Sequence, residues 1–139
     1  MNTAPPSVPP VAAPLHCEQC DCRNDLAFRF EFAFQPIVDV AARRIFAQEA
    51  LVRGPDGEAS GSVLSQVNDD NRYRFDQSCR VKAVKNAKRL GIDQRGEFVS
   101  INFLPNAVYE PERCIRTTLE AASAAAFPLE RIIFEVTEV

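Results

Sequence analysis

Ile45-Phe46-Ala47-Gln48-Glu49-Ala50-Leu51-Val52-Arg53 reads as a β-strand with an acid in its middle, where a buried strand should hold none. A buried carboxylate is costly unless it meets a cation or a metal. Glu49 therefore needs companions, and two later strand-like runs supply them. Asn102 lies in Ser100-Ile101-Asn102-Phe103, and Glu135 lies in Ile133-Phe134-Glu135-Val136.

The flanking sequence sets the frame around this stretch. From Arg29 to Gln35 the chain alternates, with Phe30, Phe32 and Phe34 on one side and Arg29, Glu31, Ala33 and Gln35 on the other. That is strand periodicity, running to about Asp39. Pro36 suits a strand end or an edge. The short link Val40–Arg44 makes this strand an antiparallel neighbour of the Glu49 strand. A Gly- and Pro-bearing loop, Gly54 to Gly61, comes next. Ser62–Val67 is expected as a short helix, broken by Asn68-Asp69-Asp70-Asn71.

A long helix is predicted from Tyr73 to Leu90. Phe75, Cys79, Ala83, Val84, Ala87 and Leu90 share one face at helical spacing, and Gly91 is the stop. Arg80, Lys82, Lys85 and Lys88 are expected on the solvated face. Phe98–Phe103 is the third strand, and Leu104-Pro105-Asn106 turns the chain. A helix from Pro111 to about Ala125 ends at Phe127-Pro128, and Arg131–Val136 is the fourth strand. Strand, helix, strand, helix, strand from Ile45 onward implies parallel strands joined by right-handed crossovers.

The pleat of the last three strands separates two faces. Ala47 and Glu49, Ser100 and Asn102, and Ile133 and Glu135 share the smaller, more polar one. Phe46 and Ala50, then Val99, Ile101 and Phe103, then Ile132 and Phe134 share the bulkier one. The bulky face fits an outer helical layer and the polar face a barrel interior. The fold class is therefore α/β, about the first four strands of a TIM-like (β/α)8 barrel with its first strand antiparallel. Asn102 and Glu135 lie near the C-terminal strand ends, where such barrels build active sites. Oxygen donors gathered there suit a hard cation such as Mg2+ or Mn2+. Arg53, four residues past Glu49 at the same rim, offers a planar fork for a phosphate. Plainer readings stay open: a Glu49–Arg53 salt bridge, Asn102 as a turn residue before Pro105, and Glu138 as a surface acid.

The chain has 139 residues, 46% hydrophobic and 25% charged, which is enough for a real core. A net charge of −3 argues against a bulk electrostatic grip on DNA or RNA. No apolar run is long enough for a membrane span. The Pro-rich start, Met1–Pro14, lacks the features of a secretory signal, so a cytoplasmic location is expected. There, the five Cys are read as thiols or metal ligands rather than disulfides. His16, Cys17, Cys20 and Cys22 form a dense cluster with one C-x-x-C spacing, which suits Zn2+ or a redox pair but has no second half. The alternative is a tail with no specific role. Cys79 and Cys114 read as small core residues. Residues 1–27 are thus expected as a flexible Pro-rich, Cys-cluster segment, and residues 28–139 as the folded part.

Four stretches also carry a family resemblance: Phe34-Gln35-Pro36-Ile37-Val38, Glu49-Ala50-Leu51-Val52-Arg53, Ile101-Asn102 and Phe134-Glu135-Val136-Thr137-Glu138. In this order and at these separations, the chain from Phe28 to Val139 resembles the N-terminal half of the EAL domain, the bacterial cyclic-di-GMP phosphodiesterase. The wording from Asn102 to Tyr109 resembles the branch often joined to light-sensing BLUF modules. The resemblance implies that Glu49, Asn102 and Glu135 are metal ligands and catalytic residues. It implies that Arg53 and Gln35 bind the substrate and that Glu138 anchors a loop. It also implies Mg2+- or Mn2+-dependent hydrolysis of one phosphodiester to linear pGpG. A metal lowers the pKa of a bound water and polarises the phosphoryl oxygen, and two metals about 4 Å apart serve both attacking and leaving oxygens.

The family pattern continues with a paired-Asp motif, a Lys, further Glu and a Gln, all past the position of Val139, and a full barrel needs about 250 residues. The expectation is that this chain alone is a truncated, inactive phosphodiesterase domain. The alternative is a non-catalytic regulatory module that acts by protein–protein interaction or weak nucleotide binding. An unpaired last strand is expected to favour a homodimer or another protein partner.

Overall fold

Two strands joined by a tight reversal open the fold. In a computed structural model, which describes residues 26–104 and 111–137, β1 (Glu31–Asp39) pairs antiparallel with β2 (Arg44–Arg53). Asp39 Oδ1 accepts the Ala42 N–H at 2.9 Å in the turn, and Arg43 takes a positive φ of 52° to complete it. β3 (Phe98–Phe103) lies parallel to β2, and β4 (Ile132–Val136) lies parallel to β3, giving the order β1-β2-β3-β4. Pro36 sits inside β1, tolerated there because β1 is an edge strand. The expected mixed sheet and its connectivity are therefore present.

Three helices follow the expected order. α1 (Ser60–Leu64) starts slightly earlier than the sequence suggests, α2 spans Arg72–Arg89, and α3 spans Pro111–Ala124. The Asn68–Asn71 break is a local side-chain network. Asn68 Oδ1 accepts the N–H groups of Asp70 and Asn71, while Asn71 Oδ1 accepts that of Asn68. Such Asx bonding offers the backbone an alternative to helix.

Both long helices end in the same way. The Ile92 N–H bonds Ala87 O at 3.1 Å and the Gly91 N–H bonds Lys88 O at 3.0 Å, with Gly91 at φ 69°. The Phe127 N–H bonds Ala122 O at 2.8 Å and the Ala126 N–H bonds Ser123 O at 3.0 Å, but here the left-handed residue is Ala126 at φ 52°. These are Schellman closures. Each buries the apolar residue that follows, Ile92 or Phe127.

The core lies between the bulky face of the sheet and the helices. Ala50, Val99 and Ile101 pack with Ala83, Val84 and Ala87 of α2 and Ala122 of α3, flanked by Phe32, Phe34, Ile132 and Phe134. A second cluster joins Phe30, Val63, Phe75 and Cys79. Cys79 and Cys114 are buried free thiols, as expected of core residues, and burial pushes the Cys79 thiol far up.

The solvated face assigned to α2 needs correction. Lys85 is exposed, and the half-buried Lys82 and Lys88 pair with Glu31 and Asp93 at 2.8 Å and 2.7 Å. Arg80, however, has no solvent exposure at all. It falls on the stripe of Asp76, Ala83 and Ala87, whose small alanines leave room for it, and Asp76 one turn earlier supplies the countercharge. Leu90 is 44% exposed rather than buried, because the chain turns away at Gly91.

Candidate functional site

The strand register brings the three candidate ligands together. Glu49 stands opposite Ser100 across β2–β3, and Asn102 stands opposite Glu135 across β3–β4. Gln35 on β1 is the partner of Glu49 across the hairpin. Side chains alternate along a strand. Since Ala50, Val99 and Ile101 face the helices, these residues project from the other side of the sheet.

The contacts follow from that register. Asn102 Nδ2 donates to Glu49 Oε1 at 3.3 Å. Ser100 Oγ donates to Glu135 Oε1. Glu49, Asn102 and Glu135 are all half-buried, while Ser100 is fully buried. Asn102 thus spends its side chain on Glu49 across the strands, not on a turn. Among the described residues, no ion pair involves Glu49 or Glu135. The plain reading of Glu49 as the salt-bridge partner of Arg53 is therefore not what the structure holds. Arg53 Nη1 instead donates to Val52 O at 2.8 Å.

Ser100 is the member that sequence reasoning left without a role. Its signal was present: a hydroxyl between Val99 and Ile101, on the pleat of Asn102, needs a buried polar partner. Glu135 is that partner.

Arg53 closes the C-terminal end of β2. The loop behind it is tight, because the Gly54 N–H bonds Glu58 O at 2.9 Å and a Cβ on Gly54 would meet the Glu58 carboxylate. Arg53 and Asn102 also line a cavity of about 540 Å³ at this end of the sheet, together with Leu64, Val67, Arg72 and Thr137. The cavity is thus apolar in part, with Arg53 and Arg72 in its lining.

The donor chemistry fits a hard divalent cation. Two carboxylates and one amide converge, and rotating the Asn102 amide presents Oδ1 toward Glu49 in place of Nδ2. The set then contains oxygen donors alone, the preference of Mg2+ or Mn2+. Among the described residues, no group of three or more His, Cys, Asp or Glu gathers, so the third donor here is the Asn102 amide. His16, Cys17, Cys20 and Cys22, with their expected Zn2+, lie outside the described residues, as does Glu138. No helix among the described residues is long and apolar enough to cross a membrane.

Comparison with known proteins decides the family. The EAL domain model matches residues 20–139. The chain belongs to the EAL domain family. A standalone versatile EAL protein from Vibrio cholerae O395, solved in a c-di-GMP-bound form, is 58% identical with a TM-score of 0.77, covering 83% of this chain and 47% of that one. BlrP1 of Klebsiella pneumoniae, solved as a manganese/cy-diGMP complex at pH 9.0, is 29% identical with a TM-score of 0.70, covering 78% and 27%. The blue light- and temperature-regulated antirepressor BluF of Escherichia coli K12 is 34% identical over 107 residues, 77% of this chain and 26% of BluF. The resemblance to the blue-light-associated branch of the EAL family is thus matched by a relative of that kind. This EAL chain spans about half of the Vibrio protein and about a quarter of the other two.

Proposed function

We propose that residues 28–139 form the N-terminal half of a cyclic-di-GMP phosphodiesterase domain. Glu49, Asn102 and Glu135 are its metal ligands, and Arg53 and Gln35 are its substrate contacts. The observation that carries this reading is the convergence of Glu49, Asn102 and Glu135 on one face of three parallel strands. The c-di-GMP-bound Vibrio relative supports the choice of nucleotide.

The site's own residues do most of what hydrolysis needs. Glu49 and Glu135 concentrate negative charge where a cation is to sit, and Ser100 orients the Glu135 carboxylate by donating to Oε1. Asn102 stands beside Glu49 and so sets the β3 donor next to the β2 donor. Arg53 holds a phosphate oxygen pair through its planar fork and so aligns the phosphodiester. Gln35 offers its amide to the nucleotide from the neighbouring strand. Glu49, Asn102 and Glu135 would hold a divalent cation, whose Lewis acidity would lower the pKa of water and polarise the phosphoryl oxygen. In the overall reaction, the water hydroxyl joins phosphorus, one phosphate–ribose bond breaks, and the leaving ribose oxygen takes a proton, giving linear pGpG.

The four strands among the described residues are half of the eight that close a barrel. On this reading the 139-residue polypeptide by itself is expected to bind the cation and the nucleotide with little turnover. A cytoplasmic setting fits a second-messenger substrate. The test is a hydrolysis assay with Mg2+ or Mn2+ on this polypeptide and on one extended by further barrel strands. Turnover confined to the extended form, and lost in Glu135→Gln, is the expected outcome. Turnover that survives Glu135→Gln contradicts the ligand assignment.

A second reading draws on the description of BluF as an antirepressor. On that reading the chain docks on a regulatory protein or a second copy of itself, and the extended polypeptide shows neither hydrolysis nor cation binding.

A further inference from the structure

Buried charge lies directly beneath the candidate ligands. Asp76 and Arg80, one turn apart on α2, are 2% and 0% exposed. Asp76 Oδ2 accepts from Arg80 Nη1. Arg80 also donates from Nε to Thr118 Oγ1 and from Nη2 to Cys114 O, both at 3.0 Å, so the pair is bonded into α3. A buried ion pair is weak evidence for stability in itself, since desolvation offsets its attraction. Its placement here suggests another use.

The other oxygen of Asp76 reaches the sheet. Asp76 Oδ1 accepts the backbone N–H of Leu104 at 3.1 Å. The Arg80 guanidinium carbon lies 5.1 Å from the centre of the Phe103 ring. Phe103 and Leu104 are the two residues that follow Asn102. The pair therefore grips the C-terminal end of β3 from the helical side, while the Asn102 amide emerges on the other side toward Glu49.

We propose that Asp76 is a positioning residue for Asn102. Its carboxylate, held by Arg80, fixes the Leu104 N–H and so sets the height of the Asn102 amide against Glu49 and Glu135. The inference rests on the metal-ligand reading above and concerns a residue outside the proposed ligand set. Misplacing a ligand by a fraction of an ångström is enough to weaken a preorganised site.

The test is Mn2+ binding, followed by electron paramagnetic resonance on the 139-residue chain, for wild type, Asn102→Ala, Asp76→Ala and Asp76→Asn. Both variants remove the Asp76 carboxylate, and only Asp76→Asn keeps an oxygen that can accept the Leu104 N–H. The expected result is a tenfold or greater loss for Asp76→Ala and a loss within threefold for Asp76→Asn. Equal affinities for the two variants overturn the inference while leaving the ligand reading intact. Wild type and Asn102→Ala binding alike, or a wild type that does not bind, overturns both. Should Asp76→Ala fail to fold, hydrogen exchange of wild type decides. Mg2+ is expected to slow exchange of the Leu104 amide at least threefold, by reciprocity between the coupled sites. An unchanged rate overturns the proposal.

Discussion

The Ser100 hydroxyl donates to the Glu135 carboxylate across two adjacent parallel strands, fully buried, two residues before Asn102. A hydroxyl so placed orients a carboxylate without itself touching solvent. Outer partners of this kind typically matter to metal affinity about 10–100-fold. Ser100→Ala is accordingly expected to weaken Mn2+ binding by roughly that factor while barely shifting the melting temperature. A titration calorimeter measures the first and circular dichroism the second. Unchanged affinity in a folded Ser100→Ala variant removes Ser100 from the site.

Arg53 tests the phosphate assignment. Arg53→Lys keeps the charge but loses the planar fork, and the two cations are not interchangeable at a bidentate site. Hydrogen bonds to charged groups contribute about 1.5–3 kcal/mol, so nucleotide affinity should fall roughly tenfold or more. Fluorescence titration with a labelled cyclic dinucleotide reads this directly. Equal binding by Arg53→Lys leaves Arg53 as a bystander bonded to Val52 O.

Strand order, helix order and the three candidate ligands were legible because each rests on a short period. Alternation set the pleat, and the pleat put Glu49, Asn102 and Glu135 on one face, as the register shows. Ends marked by Gly91 and Pro128 were legible for the same local reason. Arg80 was not, because a positive charge on a helix is normally solvated. Only the tertiary arrangement, with Thr118 and Cys114 O from α3 waiting beside Asp76, makes its burial affordable. Ser100 escaped for a related reason, since its role depends on the rotamer of a residue 35 positions away.

Ala126 adopts a left-handed backbone at φ 52° where the equivalent position after α2 is Gly91. An L-residue with a Cβ costs roughly 1–2 kcal/mol there. Glycine removes that strain but adds unfolded-state entropy, about 0.4–1 kcal/mol in the opposite direction. Ala126→Gly is thus expected to stabilise the chain by roughly 0.5–1 kcal/mol. Urea unfolding checks it, and a lower midpoint contradicts the strain argument.

Glu97 gives a pH dependence. The Arg95 guanidinium bonds it at 2.9 Å and holds its carboxyl below the usual range, against the opposing effect of burial and with help from Gln48 at 3.0 Å. A depressed folded pKa means stability that is fully present above the unfolded value, about 4.3, and is lost as pH falls through the folded one. Wild type should therefore exceed Glu97→Gln in stability at pH 7 and converge toward it below about pH 4. Thermal melts of both proteins across that range are the check, and a gap that widens on acidification reverses the sign of the argument.

The most direct test of the central claim is calorimetric titration of cyclic-di-GMP into the 139-residue chain with Mn2+ present, for wild type and Glu49→Gln. The account predicts measurable binding by wild type and at least a tenfold loss in Glu49→Gln, with the fold intact by circular dichroism. Binding that is equal in the two proteins, or absent from wild type, contradicts it.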